Sequence, residues 1–313
     1  MDKMREKKLS GVCPILPTPF DERGALDEES LVRVVRFLLD AGVRGIALFG
    51  NASEGFALTA GEKQRISDIV RKENKGQVPL IYGAGGTGIE PALDNCLWAQ
   101  EAGADMLMIM PPHMIKPDAQ RIYDFYAAIS AAVSIPIMIQ DAPGACGVNI
   151  PVNTIARLVK DCGNIQYVKA EAPPTFLKAK EIMEATQGSV TVFGGLNGAN
   201  FYEELCVGVT GTMPAGEFPD VLIRVYDCFT AGDRKGAREV FYRYLPFIRL
   251  GSTPGGMAMA IHKEVLMRGG IFSTNKVRNP YIQANETMLM LLDELLQGCP
   301  LLALEKEGRK SAS

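Results

Sequence analysis

Short, near-continuous apolar runs alternate with longer segments in which apolar positions recur every three or four residues. The first pattern belongs to strands buried on both faces, the second to the helices that cover them. Val12 to Leu16 reads as a strand, followed by Pro17-Thr18-Pro19-Phe20. Asp27 to Leu39 reads as a helix with Leu31, Val34, Val35, Leu38 and Leu39 on one face, and Asp27 with Ser30 nearby suits its N-terminus. The pair then repeats: Gly45 to Phe49 with Thr59 to Val70, Pro79 to Tyr82 with Ile89 to Ala102, and Asp105 to Met110 with Pro117 to Val133. Pro136 to Ile139 is followed by Pro151 to Cys162, Ile165 to Lys169 by Thr175 to Ala185, Val190 to Phe193 by Asn200 to Leu205, and Val209 to Met213 by Pro219 to Thr230.

Eight strand–helix units predict an α/β fold of the (β/α)8 TIM barrel type. An open doubly wound sheet is the alternative, weakened because no GxGxxG follows the first strand. The glycine-rich stretch Gly83 to Gly88 follows the third strand instead, and reads as a βα loop rather than a phosphate cradle. Asp233 to Leu250, Gly255 to Met267 and Asn285 to Leu296 predict a C-terminal helical appendage. The expected boundaries are 1–231 for the barrel, 232–304 for these helices and 305–313 for a charged, disordered tail.

Composition narrows the function classes. The chain has 313 residues, 47% hydrophobic and 22% charged, with a net charge of -3. Nothing there points to a nucleic-acid or membrane surface. No apolar run approaches the roughly 20 residues that span a bilayer. Met1 to Ser10 is polar and basic, without the apolar segment of a signal peptide, so a cytoplasmic protein is expected. The seven cysteines are scattered, odd in number and form no CxxC pair, which suits reduced thiols. With only two histidines, His113 and His262, a metal site or a triad has few candidates.

The most informative stretch is Gly163-Asn164-Ile165-Gln166-Tyr167-Val168-Lys169-Ala170-Glu171. Lys169 ends an apolar run, where desolvating an ammonium costs several kcal/mol unless the charge is paired or neutralised. Burial lowers a lysine's pKa, and the neutral amine is a nucleophile that forms a Schiff base with a carbonyl. Glu171 stands two residues on, so both side chains face one side if the strand continues that far. A lysine snorkelling to the surface with Glu171 as its exposed ion-pair partner is the ordinary alternative.

The ends of the other strands tip that balance. They carry Gly50-Asn51-Ala52-Ser53-Glu54, Pro111-Pro112-His113-Met114, Gln140-Asp141-Ala142-Pro143, Gly194-Gly195-Leu196-Asn197 and Pro214-Ala215-Gly216-Glu217. With Pro17-Thr18-Pro19-Phe20 and Lys169, this set resembles the dihydrodipicolinate synthase / N-acetylneuraminate lyase family of class I aldolases, from Val12 through the C-terminal helices. The resemblance implies a barrel, a homotetramer, no metal or organic cofactor, and a lysine imine on a small-molecule 2-oxo acid. It makes Lys169 the Schiff-base residue. It assigns the substrate carboxylate to Ala52 and Ser53 in the loop that also holds Asn51.

The departures from the family are specific. Where the family has a tyrosine as general base after strand 5, this chain has Gln140. The relay threonine and the neighbouring subunit's tyrosine fall at Asn51 and Met114, and the arginine for a second carboxylate falls at Ala145. A carboxamide cannot take the C4 hydroxyl proton that retro-aldol cleavage requires. Dehydration needs only a base at C3 and an acid at the departing C4 hydroxyl, and Glu171 supplies a carboxyl for both. Glutamine in place of the tyrosine marks one branch of the family, the L-2-keto-3-deoxyarabonate dehydratases, which yield 2-oxoglutarate semialdehyde. The expected catalytic set is Lys169, Glu171 and Gln140, with Asn51, Ala52, Ser53, Gly195 and Asn197 binding substrate and Glu217 a weaker candidate for the distal hydroxyl. A pyruvate-dependent aldolase for a 2-keto-3-deoxy sugar acid is the second expectation, and a non-catalytic sugar-acid-binding protein the third.

Overall fold

The computed structural model describes residues 8–253 and 256–305. In chain order the elements are β1 (Gly11–Val12), α1 (Glu28–Asp40), β2 (Ile46–Leu48), α2 (Ala60–Asn74), β3 (Leu80–Gly83), α3 (Ile89–Glu101), β4 (Met106–Ile109) and α4 (Ala119–Ala132). There follow β5 (Ile137–Asp141), α5 (Pro143–Cys146), α6 (Val152–Asp161), β6 (Ile165–Ala170), α7 (Thr175–Ala185), β7 (Thr191–Gly194), α8 (Phe201–Val207), β8 (Gly211–Thr212) and α9 (Pro219–Thr230). The chain closes with α10 (Arg234–Leu250), α11 (Ala258–Arg268) and α12 (Glu286–Gly298). Eight parallel strands, each followed by a helix, give the (β/α)8 class that the hydrophobic pattern predicts.

Local chemistry explains most boundaries. Asp27 caps α1 through its side chain on the Ser30 N–H, and Leu31, Val34, Val35 and Leu38 are fully buried along one face. Thr59 and Glu62 form a reciprocal capping box at the start of α2. The strand expected over Val12 to Leu16 is only Gly11–Val12, with Ile15 making isolated bridges to Ala47 and Ala215. Pro14 and Pro17 have no N–H to give to a ladder, which is why the pairing breaks there. Helix α5 is unannounced in the sequence because one turn, begun by Pro143 and closed by Gly147 at φ 67°, is too short to show a period. The start expected for α11 at Gly255, and the tail from 306, lie outside the described residues.

The described residues fall into two compact units. The first runs up to Cys13 and from Pro79 to Met213, and its strands lie in the order β1-β8-β7-β6-β5-β4-β3, all parallel. Its interior is aliphatic: Val168, Ile139, Ile109 and Leu107 are fully buried, and Met106 and Met108 fill core.

The second unit holds Pro14–Val78 and the chain from Pro214 onward. At its centre α11 is buried from Met259 to Leu266 although it carries His262, Lys263 and Glu264 in succession. Each polar group meets a partner: His262 Nδ1 lies 2.6 Å from Glu217 Oε1, Lys263 pairs with Glu54, and Arg268 Nε donates to Glu264 at 2.7 Å. Buried charge is tolerated only when so compensated.

Glu62 also receives Arg278 Nη2 at 2.6 Å, and that hydrogen bond chiefly lowers its carboxyl to about 2 from 4.5. A carboxyl depressed on folding stabilises above its unfolded value and loses that contribution as pH falls through the folded one. Glu62→Gln should therefore be less stable than wild type at neutral pH, and the gap should shrink between about 4.5 and about 2. Denaturant melts across that range check it; a gap independent of pH would contradict the assignment.

Candidate active site

In the first unit, β5 and β6 pair so that Gln140 lies opposite Lys169 and Asp141 opposite Ala170. In-register neighbours of a parallel sheet point the same way, so Gln140 and Lys169 share a face. β6 ends at Ala170, but the Glu171 N–H still donates to Asp141 O at 2.9 Å, which carries the extended geometry one residue further. Lys169, Glu171 and Gln140 are 4%, 8% and 5% exposed, so the snorkelling alternative does not describe this lysine.

The three side chains converge on the Glu171 carboxylate. Lys169 Nζ stands 3.4 Å from Oε1, the Leu196 N–H donates to the same oxygen at 3.0 Å, and Gln140 Nε2 donates to Oε2 at 2.9 Å. One carboxylate thus takes donors from the ends of β5, β6 and β7. A buried carboxylate with paired oxygens is held in one orientation, beside an amine that can pass it a proton.

Gly195 is the steric condition for this arrangement. A Cβ added there would stand 2.3 Å from Glu171 Oε1 and 2.5 Å from Cγ. Leu196 and Asn197 follow at φ 48° and 57°, in the left-handed region, and this turn aims the Leu196 N–H at the carboxylate. Beside the cluster, Asp141 is fully buried, accepts from the Ile150 N–H at 3.2 Å and lies 3.5 Å from Lys178 Nζ. Desolvation raises its carboxyl and Lys178 opposes that rise. Cys146 is buried, donates to Val148 O, and burial raises its thiol. His113, Met114 and Ala145 are all exposed.

In the second unit, Asn51–Ser53 forms one 3-10 turn, ended by Glu54 at φ 55°. The Ser53 N–H is engaged within the turn by Gly50 O at 3.0 Å, while the buried Ser53 Oγ has no hydrogen-bond partner among the described residues. Its free donor is therefore the hydroxyl rather than the backbone. The turn is gripped from outside itself: Thr18 Oγ1 donates to Ser53 O at 2.6 Å, Tyr281 OH to Asn51 O at 3.1 Å, and the Arg278 N–H to Glu54 Oε2 at 2.6 Å. Burial, with Glu54 adding to it, pushes the Tyr281 phenol up to about 12, so it stays a donor. Phe20 lies between the Lys263 ammonium, 4.2 Å from its ring, and the Arg278 guanidinium at 4.0 Å. The Pro17-to-Phe20 segment thus acts as a brace for the loop after β2. Glu217, weighed above for a distal hydroxyl, is fully buried against His262.

Sequence reasoning missed Lys263, Arg278 and Tyr281, whose roles depend on contacts more than 200 positions away along the chain. It also missed Glu204, a buried carboxyl against β7, although the paired glycines Gly194-Gly195 are a signal of close approach.

The model of the dihydrodipicolinate synthetase family matches residues 8–298. An L-2-keto-3-deoxyarabonate dehydratase of Azospirillum brasilense is 32% identical over 278 residues, covering 86% of this chain and 88% of that one. A 4-hydroxy-tetrahydrodipicolinate synthase of Fervidobacterium nodosum is 27% identical, covering 94% of this chain and all of its own. The crystal structure of the Thermotoga maritima dihydrodipicolinate synthase superposes with a TM-score of 0.87 at 26% identity, over 93% of this chain and 98% of that one. Among the described residues, no helix is long and apolar enough to cross a membrane.

Gly195→Ala should lower the melting temperature by several degrees, since overpacking typically costs about 1–3 kcal/mol. In a Glu171→Ala background the same change should cost far less, because the colliding atoms are gone. Thermal melts of the four-variant cycle decide; equal cost in both backgrounds would mean that Gly195 is not there to admit Glu171.

Proposed function

The chain belongs to the dihydrodipicolinate synthetase family, and on that premise we propose that it is a hydro-lyase converting L-2-keto-3-deoxyarabonate to 2-oxoglutarate semialdehyde and water. Membership makes it an enzyme of the class I aldolase type acting on a small molecule. The dehydratase reading rests on one observation: where the family carries a phenol, Gln140 donates to Glu171, the carboxylate paired with Lys169. The likeness to the Azospirillum brasilense dehydratase supports it.

In this scheme Lys169 attacks the C2 ketone and expels water, giving an imine. The imine acidifies C3, and Glu171 takes one of its protons. The resulting enamine expels the C4 hydroxyl, which leaves as water with the proton that Glu171 returns. A proton then moves from C5 to C3, giving the enol of the aldehyde; the enol takes a proton at C4 as its hydroxyl gives one up, and water releases Lys169, so the net change is loss of one water. Gln140, a donor and acceptor that takes up no proton, holds Glu171 and orients hydroxyls. Asn51, Ala52 and the Ser53 hydroxyl take the substrate carboxylate, Gly195 and Asn197 border the substrate, and the imine serves in place of any cofactor.

Incubation with 2-keto-3-deoxypentonate, racemic at C4, tests this directly. The expected product is the semialdehyde, detected by coupling to an aldehyde dehydrogenase. Pyruvate with glycolaldehyde would contradict the proposal and make the chain an aldolase. Glu171→Gln should slow the dehydration by about 10²–10⁴-fold, the usual worth of general acid–base catalysis. Near-normal turnover in that variant would remove Glu171 from the scheme.

A further inference from the structure

Glu204, on α8, is 1% exposed. The Thr175 hydroxyl at the start of α7 donates to its Oε1 at 2.7 Å, and its Oε2 has no hydrogen-bond partner among the described residues. No cation pairs with it among the described residues. Oε2 presses on the end of β7, where a Cβ added to Gly194 would stand 1.8 Å from it. At the next residue, Gly195, the group in the way is Glu171 Oε1. Successive Cβ directions of an extended chain point to opposite faces. The two glycines therefore carry one carboxyl group on each side: Glu171 on the lysine's side, Glu204 behind, against the helices.

We propose that Glu204 is a positioning residue for the reaction: a neutral carboxyl group wedged behind Gly194–Gly195, whose retained proton keeps Glu171 ionised and paired with Lys169. The inference rests on the reading of Lys169 and Glu171 as the reacting pair. An anion at Glu204 would leave a buried oxygen without a donor or a counter-charge, which the folded interior strongly disfavours. The groups that face it are the Thr175 hydroxyl from α7, the Gly194 backbone of β7, Glu171 across the strand end and Glu203 on its own helix. Both charged ones are carboxylates. Burial first of all, then Glu171 and Glu203, push the Glu204 carboxyl to about 8, against the Thr175 hydrogen bond.

Below about 8 the Glu204 carboxyl is neutral and adds no charge behind Glu171. As pH rises through that value a second negative charge appears behind the strand. It disfavours the Glu171 anion and favours the Lys169 ammonium over the nucleophilic amine. Activity should fall on the alkaline side even though rising pH alone generates free amine.

Two readouts on the intact enzyme test this. Infrared difference spectra of wild type minus Glu204→Gln should show a protonated-carboxyl stretch at neutral pH that disappears well above 8. The alkaline limb of kcat/KM for the 2-oxo acid should move up by more than about one pH unit in Glu204→Gln, which cannot ionise, a tenfold effect at fixed pH. Thr175→Val, which removes the hydrogen bond that favours the anion, should move the limb in the same direction and serves if Glu204→Gln fails to fold. Absence of the protonated band at neutral pH, or an alkaline limb unmoved by either variant, would overturn the proposal. Misassignment of the reaction itself has a separate signature: Lys169→Ala would leave turnover of the 2-oxo acid intact.

Discussion

The buried Glu171 carboxylate is the constraint on which the first unit's site depends. An ionised carboxyl taken out of water must find donors for its oxygens, and here they come from three strand ends: the Lys169 ammonium, the Gln140 amide and the Leu196 N–H. That requirement accounts for features that otherwise look unrelated. The β5–β6 register sets Gln140 beside Lys169. Gly195 is bare because the carboxylate lies against its Cα. The left-handed turn at Leu196 and Asn197 aims a backbone donor at the same oxygen.

In the proposed scheme Gln140 sets which proton transfers the site can make. A tyrosine there could lose a proton to the solvent side of a reaction and recover it; an amide can only hold hydrogen bonds. With Gln140 donating to Glu171, the proton-carrying group nearest Lys169 is the carboxylate. In that scheme, chemistry at carbon next to an imine favours moving a proton between C3 and the C4 oxygen over deprotonating that oxygen first. Tyr281, a phenol of the second unit, is committed to the Asn51 carbonyl and held protonated by burial.

Much of this was legible in the sequence, and the reasons are local. Strands and helices were visible because burial imposes a period, and Lys169 stood out because an amine closing an apolar run is costly. The Gln140 substitution was readable because it sits in a recognisable frame around Pro143. What escaped was long-range. Lys263 and Arg278 look like surface charges on C-terminal segments, yet they hold Glu54 and flank Phe20. Glu204 sits in an ordinary helical stretch, and only the packing of α8 against Gly194 reveals it as a buried carboxyl. β1 was overread for the opposite reason: its apolar run is real, but Pro14 and Pro17 cannot donate to a ladder.

The proposed chemistry requires Lys169 to be the covalent nucleophile. Borohydride reduction in the presence of the 2-oxo acid, followed by peptide mass spectrometry, measures it most directly. A reduced substrate adduct is expected on the peptide spanning Lys169, and none in Lys169→Ala. An unmodified Lys169 peptide after reduction, under conditions where the enzyme turns over, would contradict it.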